Sequence, residues 1–282
     1  MQSLDFIVKS FQETGKRPLV LLSGGLDSTY LVSELLKQIP VDTMYIKASL
    51  LPQKAECELL ARQKIIDYFN ANNDNKIVKD NVHDIGHAIV MGTNLPQPLF
   101  WFYAAMTMYN SDIHSCVCIG YVTGDAVCQY LDRLEAAWNQ INPVVKKEHV
   151  PLLFPLRNLR KREILTKLPA EIEKMTLVCE RPFTQLQSLE ALRGNTVHIG
   201  DKYSLPKEGV AGTLYVTELD NNREYRWMHN QFVEVFESTY STLEGTYDGK
   251  YIYQCGDCGT CLTSVAEKMI SKRQRGQGFP LR

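Results

Sequence analysis

The sequence predicts an α/β protein built on a parallel sheet, and three observations carry that expectation. Short apolar runs alternate with helix-period stretches from residue 18 to residue 141, the order that builds parallel sheets. The first run, Leu19 to Leu22, is apolar at every position, as a strand buried on both faces is. It ends abruptly on Ser23-Gly24-Gly25, and an amphipathic stretch follows. Strand, tight turn and helix therefore succeed one another at the outset.

The elements follow in order. Tyr30, Leu31, Leu35 and Ile39 fall at helical spacing, so 29–38 reads as a helix. VDTMYIK (41–47) reads as a second strand. QKAECELLARQKIIDYFN (53–70) reads as a helix with Leu59, Ile65, Ile66 and Phe69 on its apolar side. KIVKDNV (76–82) reads as a third strand. PLFWFYAAMTMYN (98–110) reads as a buried helix with Pro98 in its first turn, where proline is tolerated. VCIGYV (117–122) is a strand ending near Gly120, and LDRLEAAWNQI (131–141) is a helix. Beyond residue 180 the character changes. TVHIG and GTLYVTEL are short β-prone runs between Gly, Pro and Asn breaks, and RWMHNQFVEVFEST (226–239) reads as one helix. The division expected is 1–170 as an α/β domain and 171–282 as a C-terminal helical, metal-binding region, interrupted by a small α+β insertion at about 180–254.

Composition narrows the class. With 44% hydrophobic and 22% charged residues, the chain has an ordinary globular composition. A net charge of −1 supplies no bulk attraction to nucleic acid or membrane. The start, MQSLDFIVKSFQETGKRP, does not read as a signal peptide, and no apolar run is long enough to span a bilayer. A cytoplasmic location is expected.

The turn is where chemistry enters. Gly24 and Gly25 let the backbone approach a ligand closely. The first N–H groups of the following helix lack intrahelical partners and lie at the positive end of its dipole. Ser23 and Ser28 add hydroxyls. Together these make an anion site, usually for phosphate. It is not a Walker A loop, because the GK[ST] ending is absent. Asp27 sharpens the reading: a carboxylate repels phosphate unless a divalent cation lies between them, which suggests Mg²⁺.

Eight cysteines in a chain of this kind argue for metal ligation or catalysis before disulfides. Cys255, Cys258 and Cys261 in CGDCGTC form two overlapping C-x₂-C units that can converge on one Zn²⁺. A redox C-x-x-C and three unlinked cysteines are the competing readings. Cys179 is the best fourth ligand, with His198 or His229 as substitutes; the 75 residues between Cys179 and Cys255 would then loop out of the closed site. Cys57, Cys116, Cys118 and Cys128 read as small buried hydrophobes.

The SGGLDS stretch (Ser23, Gly24, Gly25, Leu26, Asp27, Ser28) resembles the PP-loop of the ATP pyrophosphatases, which split ATP into AMP and pyrophosphate to activate a substrate oxygen. The resemblance implies a doubly wound parallel sheet with the nucleotide at the carboxyl ends of its strands. Joined to Gly120-x₄-Asp125, Tyr130-Leu131-Asp132-Arg133, Pro155-Leu156, Lys161-Arg162-Glu163-Ile164 and the four cysteines, the pattern resembles the QueC family of 7-cyano-7-deazaguanine (preQ0) synthases. That resemblance implies ATP, Mg²⁺ and Zn²⁺, a 7-carboxy-7-deazaguanine substrate and ammonia. It implies Asp27, Ser28, Lys161 and Asp125 as catalytic candidates, with Gly120 beside the SGGLDS residues at the nucleotide.

Three departures leave the acceptor and product open. LPQPLF (95–100) lacks the Arg-Asn pair of the family's VPGRN-like segment. Gln53-Lys54-Ala55-Glu56 lacks its His, and Tyr130 to Arg133 lacks its Pro and Cys. QueC-like proteins also occur in antiphage operons, where a deazaguanine-type product can be joined to a protein or nucleic acid. Tyr225, Trp227, Met228 and Phe232 of the insertion could dock such a partner, or form its own core. Dimers are usual in the family. Other PP-loop chemistries fit less well: no glutaminase nucleophile precedes residue 20, an NAD synthetase does not need the cysteine knuckle, and a sequence pI near 6.6 argues mildly against a tRNA thiolase. A non-catalytic zinc-containing interaction platform is the alternative of a different class, disfavoured by the intact SGGLDS.

Overall fold

A computed structural model describes residues 4–47, 52–84, 97–146 and 148–178, together with six short strands between residues 183 and 253. Five strands form one parallel sheet: β1 (Arg17–Leu21), β2 (Val41–Lys47), β3 (Ile77–Asp84), β4 (His114–Cys118) and β5 (Leu152–Leu153), in the spatial order β3-β2-β1-β4-β5. The chain winds outward from β1 to β3, then returns to pair β4 on the other side of β1. The reversal between β1 and β4 opens a crevice at their carboxyl ends, where open α/β sheets bind ligands.

Strand period two feeds two cores. Val20 and Leu22 join one cluster with α1 (Leu4–Thr14), α2 (Leu26–Leu36), α3 (Pro52–Asn72), α6 (Lys161–Lys167) and α7 (Ala170–Met175). Leu19 and Leu21 join the opposite cluster with α4 (Gln97–Met108) and α5 (Leu131–Val145). Helices thus cover both faces, the arrangement the fold class requires. Ile172 and Met175 of α7 belong to the first cluster, so the sheet's own core extends past residue 170.

Several elements differ from the sequence expectations. α1 was not legible, although Leu4, Ile7, Val8 and Phe11 make the stripe that packs on the core. α2 begins at Leu26 rather than 29, which puts Asp27 and Ser28 in its first turn. α4 is not buried all round, since Tyr103 is 60% exposed. The stretch read as one helix at 226–239 instead carries two antiparallel strands, β9 (Glu224–Met228) and β10 (Gln231–Glu234). Met228, Phe232 and Val235 are at helical spacing, but the aromatic and β-branched residues favour a strand. The register sets Trp227 opposite Phe232. With β7 (Lys207–Glu208) and β8 (Leu214–Thr217) these strands form a four-stranded sheet ordered β10-β9-β8-β7, while β6 (Phe183–Thr184) pairs with β11 (Ile252–Tyr253). Among the described residues, no helix is long and apolar enough to cross a membrane.

The amino ends of the strands are tied by a buried charge network. Asp42 is fully buried and accepts from Arg17 Nε (2.8 Å) and Nη2 (3.1 Å) and from the Lys79 N–H (3.1 Å). His114 Nδ1 accepts the Asn110 N–H at 2.9 Å, which leaves the ring's proton on Nε2, 3.1 Å from Asp42 Oδ2. Burial pushes the Asp42 carboxyl up, but the hydrogen bonds from His114 and Arg17 outweigh it and hold the group below its ordinary value. Asp42→Asn should cost about 3 kcal/mol in urea unfolding, because the charge and one of the two acceptor oxygens are lost while His114 stays buried and Arg17 largely so. Its folded value lies below its unfolded one, so this stability is present above pH 3.8 and is lost as pH falls further. A variant within 0.5 kcal/mol of wild type, a bound of roughly the size of a neutral surface change, would show that the network contributes nothing.

Candidate active site

The SGG turn leaves the end of β1 and is closed by its own polar groups. Ser23 Oγ and Ser28 Oγ lie 3.2 Å apart, Ser28 Oγ donates to the Gly25 carbonyl (3.2 Å), and the Gly25 N–H donates to Ser23 Oγ (3.3 Å). Gly24 has φ +79°, and an added Cβ would meet the Arg62 nitrogen and the Glu58 carbonyl of α3 at 3.3 Å each. Both the backbone angle and the close approach require glycine there. The Leu177 N–H, just after α7, donates to the Gly24 carbonyl at 2.9 Å. The turn is therefore pinned on two sides, with the start of α2 following it.

Gly120 lies just beyond β4 and faces that start. A Cβ there would meet the Asp27 carbonyl group and Ser28 Cα at 3.2 Å. Its missing side chain lets the helix N-terminus seat against β4. A cleft of about 580 Å³ opens between them, lined on this side by Ser23, Gly25, Asp27, Ser28, Gly120 and Asp125.

Three charged groups meet at the cleft. Lys161 Nζ lies 3.7 Å from Asp27 Oδ2 and 3.4 Å from Asp125 Oδ1. Lys161 is the first residue of α6, whose start is capped where the Arg160 N–H donates to Glu163 Oε2 at 2.7 Å. The Asp125 loop is held to the same segment: Thr123 N–H donates to the Leu159 carbonyl and Thr123 Oγ1 to the Arg157 carbonyl, both at 2.8 Å. Asp125 Oδ2 also accepts the Val122 N–H at 3.0 Å. The lysine and its two carboxylates, Asp125 and the far more distant Asp27, both earlier in the sequence, are thereby brought together.

Burial pushes the Asp27 carboxyl up to about 7; Lys161 works against this and Asp125 adds to it. Burial works against the Lys161 ammonium as well, but Asp27 and Asp125 outweigh it and hold the group above its ordinary value. Asp27 Oδ1 is buried with no hydrogen-bond partner. A buried carboxylate oxygen left without a partner beside an anion cradle fits a divalent cation, and Mg²⁺ takes one or two carboxylates and completes its shell with phosphates and water.

Of the residues singled out from the sequence, Ser23, Gly25, Asp27, Ser28, Gly120 and Asp125 line the cleft and Lys161 reaches their carboxylates. Two differ. The Leu26 side chain packs into the core, leaving only its backbone for the turn, and Gly24 packs against α3. Cys57, Cys116 and Cys118 are buried as expected, while Cys128 is half-buried with its thiol 2.9 Å from the Val122 carbonyl. Cys179, Cys255, Cys258, Cys261, His198, His229, TVHIG and residues 95–96 of LPQPLF lie outside the described residues. Sequence reasoning missed Trp101 and Tyr121, which also line the cleft. Tyr121 could have been found as the neighbour of Gly120; Trp101 carries no local signal.

No family model matches the chain, and no curated protein matches it. Similar solved structures include an NMN synthetase from Francisella tularensis, at 15% identity over 57% of this chain and 64% of that one, with a TM-score of 0.35. The U34-tRNA thiolase NcsA from Methanococcus maripaludis is similar at 17% identity over 61% of this chain and 62% of that one, with a TM-score of 0.34. The NH3-dependent NAD synthetase from Campylobacter jejuni is similar at 16% identity over 68% of this chain and 81% of that one, with a TM-score of 0.37. The chain spans less than two thirds of the length of the first two.

Proposed function

We propose that the chain is an ATP-dependent, PP-loop-type enzyme that adenylates a 7-carboxy-7-deazaguanine-type carboxylate and passes it to ammonia, as QueC-like enzymes do. The observation that carries the nucleotide part is the pinned Ser23-Gly24-Gly25 turn at the β1/β4 reversal, with Asp27 and Asp125 lining the same cleft and Lys161 beside both carboxylates. Backbone donors and a helix N-terminus make an anion cradle. A lysine between two carboxylates supplies a fixed positive charge where phosphate charge builds up. The acceptor assignment rests on the sequence resemblance.

The chemistry follows from the carboxylate, a poor acylating group until its oxygen can leave. The carboxylate oxygen attacks the α-phosphorus of ATP and pyrophosphate departs. Ammonia then adds at the carbonyl carbon and AMP leaves with the former carboxylate oxygen, giving an amide. A second ATP activates the amide oxygen in the same way; loss of AMP and of two protons from nitrogen gives the nitrile. Mg²⁺, held by Asp27 with Asp125 alongside, would neutralise the departing pyrophosphate. Lys161 would hold the α-phosphate in line, and the Ser23 and Ser28 hydroxyls would turn from each other towards phosphate oxygens. Zn²⁺ would be held by Cys255, Cys258 and Cys261, as the CGDCGTC spacing suggests, with Cys179 as the candidate fourth ligand.

The test is ATP turnover with 7-carboxy-7-deazaguanine and ammonium, with AMP and base products read by mass spectrometry. AMP with preQ0 is the expected result, and Lys161→Met should lower the rate by about 10²-fold or more. AMP appearing only with an added protein would move the acceptor from small molecule to macromolecule. No AMP under either condition would overturn the enzyme reading.

A further inference from the structure

The cleft has a second wall that phosphate binding does not use. Trp101 of α4 stacks on Tyr121, with ring centroids 5.7 Å apart and planes 21° from parallel. Tyr121 continues to Phe154 at 6.0 Å. Tyr121 and Phe154 belong to the buried cluster on the α4/α5 face, so the stack is rooted in the core. Trp101, in contrast, is only partly buried where it lines the cleft. The wall is rigid at its base and ends in a large flat ring at the cavity.

The Tyr121 hydroxyl is the second observation. The residue is 8% exposed, and its oxygen has no hydrogen-bond partner. A buried phenol normally finds one, because the group loses its water on burial. Tyr121 follows Gly120 directly, and Gly120 touches the backbone of Asp27 and Ser28. The wall therefore begins one residue from the anion cradle, on the loop that carries Asp125.

We propose that Trp101 and Tyr121 form the subsite for a planar heteroaromatic ring with a polar edge, belonging to the carboxylate-bearing acceptor; this rests on the ATP-dependent reading of the cleft. The flat face of Trp101 takes the ring by stacking, and the unpaired Tyr121 hydroxyl bonds the ring's edge. Because Gly120 seats Tyr121 beside the start of α2, a ring held here sets the acceptor's carboxylate against the α-phosphate. The recognition that the Arg-Asn pair absent from LPQPLF would give is supplied instead by Trp101, the residue that follows it in α4, and by Tyr121. The other planar ring at hand is the adenine of ATP, and the experiment separates the two.

Binding of 7-carboxy-7-deazaguanine and of ATP is measured by calorimetry on the full chain and on Trp101→Ala, Trp101→Phe and Tyr121→Phe. Trp101→Ala should weaken acceptor binding roughly ten-fold or more, the usual effect of losing a base–aromatic stack, and leave ATP binding within about two-fold. Trp101→Phe should restore most of the loss. Tyr121→Phe should weaken the deazaguanine acid but not 2-naphthoate, which has no polar ring edge. Wild-type protein that binds no planar acid overturns the subsite. Loss of ATP affinity with acceptor affinity unchanged gives the wall to adenine and also overturns it. A chain that binds the planar acid through Trp101 but no ATP overturns the nucleotide reading and leaves the ring subsite standing.

Discussion

Asp27→Asn should abolish AMP release from ATP and, in the absence of nucleotide and Mg²⁺, should make the protein more stable at pH 8. The two effects have one cause. The Asp27 carboxyl is raised from 3.8 to about 7, first by burial and then by Asp125, with Lys161 only partly compensating. In the unfolded chain the group loses its proton near pH 3.8, whereas in the fold it keeps it to about pH 7. Across that window unfolding releases a proton, so stability falls as pH rises, and above pH 7 the loss is complete. A carboxyl displaced that far costs at most about 4 kcal/mol. Asn fills the same space without the charge. Its advantage should be absent at pH 4, grow to pH 7 and stay level to pH 8.

After discounting for the exposed part of the side chain, the gain should be about 1–3 kcal/mol, or several degrees in Tm. The catalytic loss is complete because an amide cannot hold a divalent cation against phosphate as a carboxylate can. Thermal unfolding from pH 4 to 8, beside a single-turnover AMP assay, checks both halves. An Asn advantage no larger at pH 8 than at pH 4 would mean Asp27 carries no strain at the site. Unchanged AMP release would remove it from the chemistry. A protein that gains stability when Asp27 is neutralised is what a buried carboxylate reserved for cation binding should produce.

How far the site was legible depended on range in sequence. SGGLDS spoke because everything it needs is local: an apolar strand, two glycines, and a helix whose free N–H groups follow within four residues. Gly120 and Lys161 came only through a resemblance, since the contacts of Gly120 with the start of α2 and of Lys161 with two carboxylates are made across the sheet. The pairing of Trp101 with Tyr121 was silent for the same reason: 20 residues separate them, and only the fold stacks one on the other. The hairpin of β9 and β10 went wrong through ambiguity rather than range. Met228, Phe232 and Val235 satisfy helix spacing, and Tyr225 and Trp227 alternate as in a strand, so pairing across the hairpin decides. Arg62 carried no signal at all. In the sequence it is one charged residue on a helix; in the fold it is among the largest fully buried side chains.

Arg62→Met should cost about 3 kcal/mol and weaken ATP binding at the same time. The guanidinium is 2% exposed. Its Nε donates to the Leu22 carbonyl at 2.9 Å, its Nη1 donates to Asp80 Oδ2 at 2.7 Å, its Nη2 pairs with Asp80 Oδ1, and it lies over the Tyr45 ring. Burial pulls it down to about 10, so it stays charged at neutral pH. Removing a buried guanidinium leaves its carboxylate without compensation. Asp80 keeps one donor, Thr43 Oγ1 at 2.6 Å, and is 26% exposed, which places the cost at the low end. The functional effect takes a separate route. Leu22 is the last residue before the SGG turn, and the Arg62 backbone packs on Gly24. The side chain and the backbone of one residue therefore hold both ends of the Leu22–Gly24 segment. Adding Asp80→Asn to Arg62→Met removes the stranded charge and should recover most of the stability, but not the ATP affinity, because Leu22 still lacks its donor. Urea unfolding and calorimetric ATP binding on the single and double variants separate the two roles. If the double variant recovers both, the bond to Leu22 does not shape the cradle; if the single variant loses neither, the buried guanidinium is not a clamp.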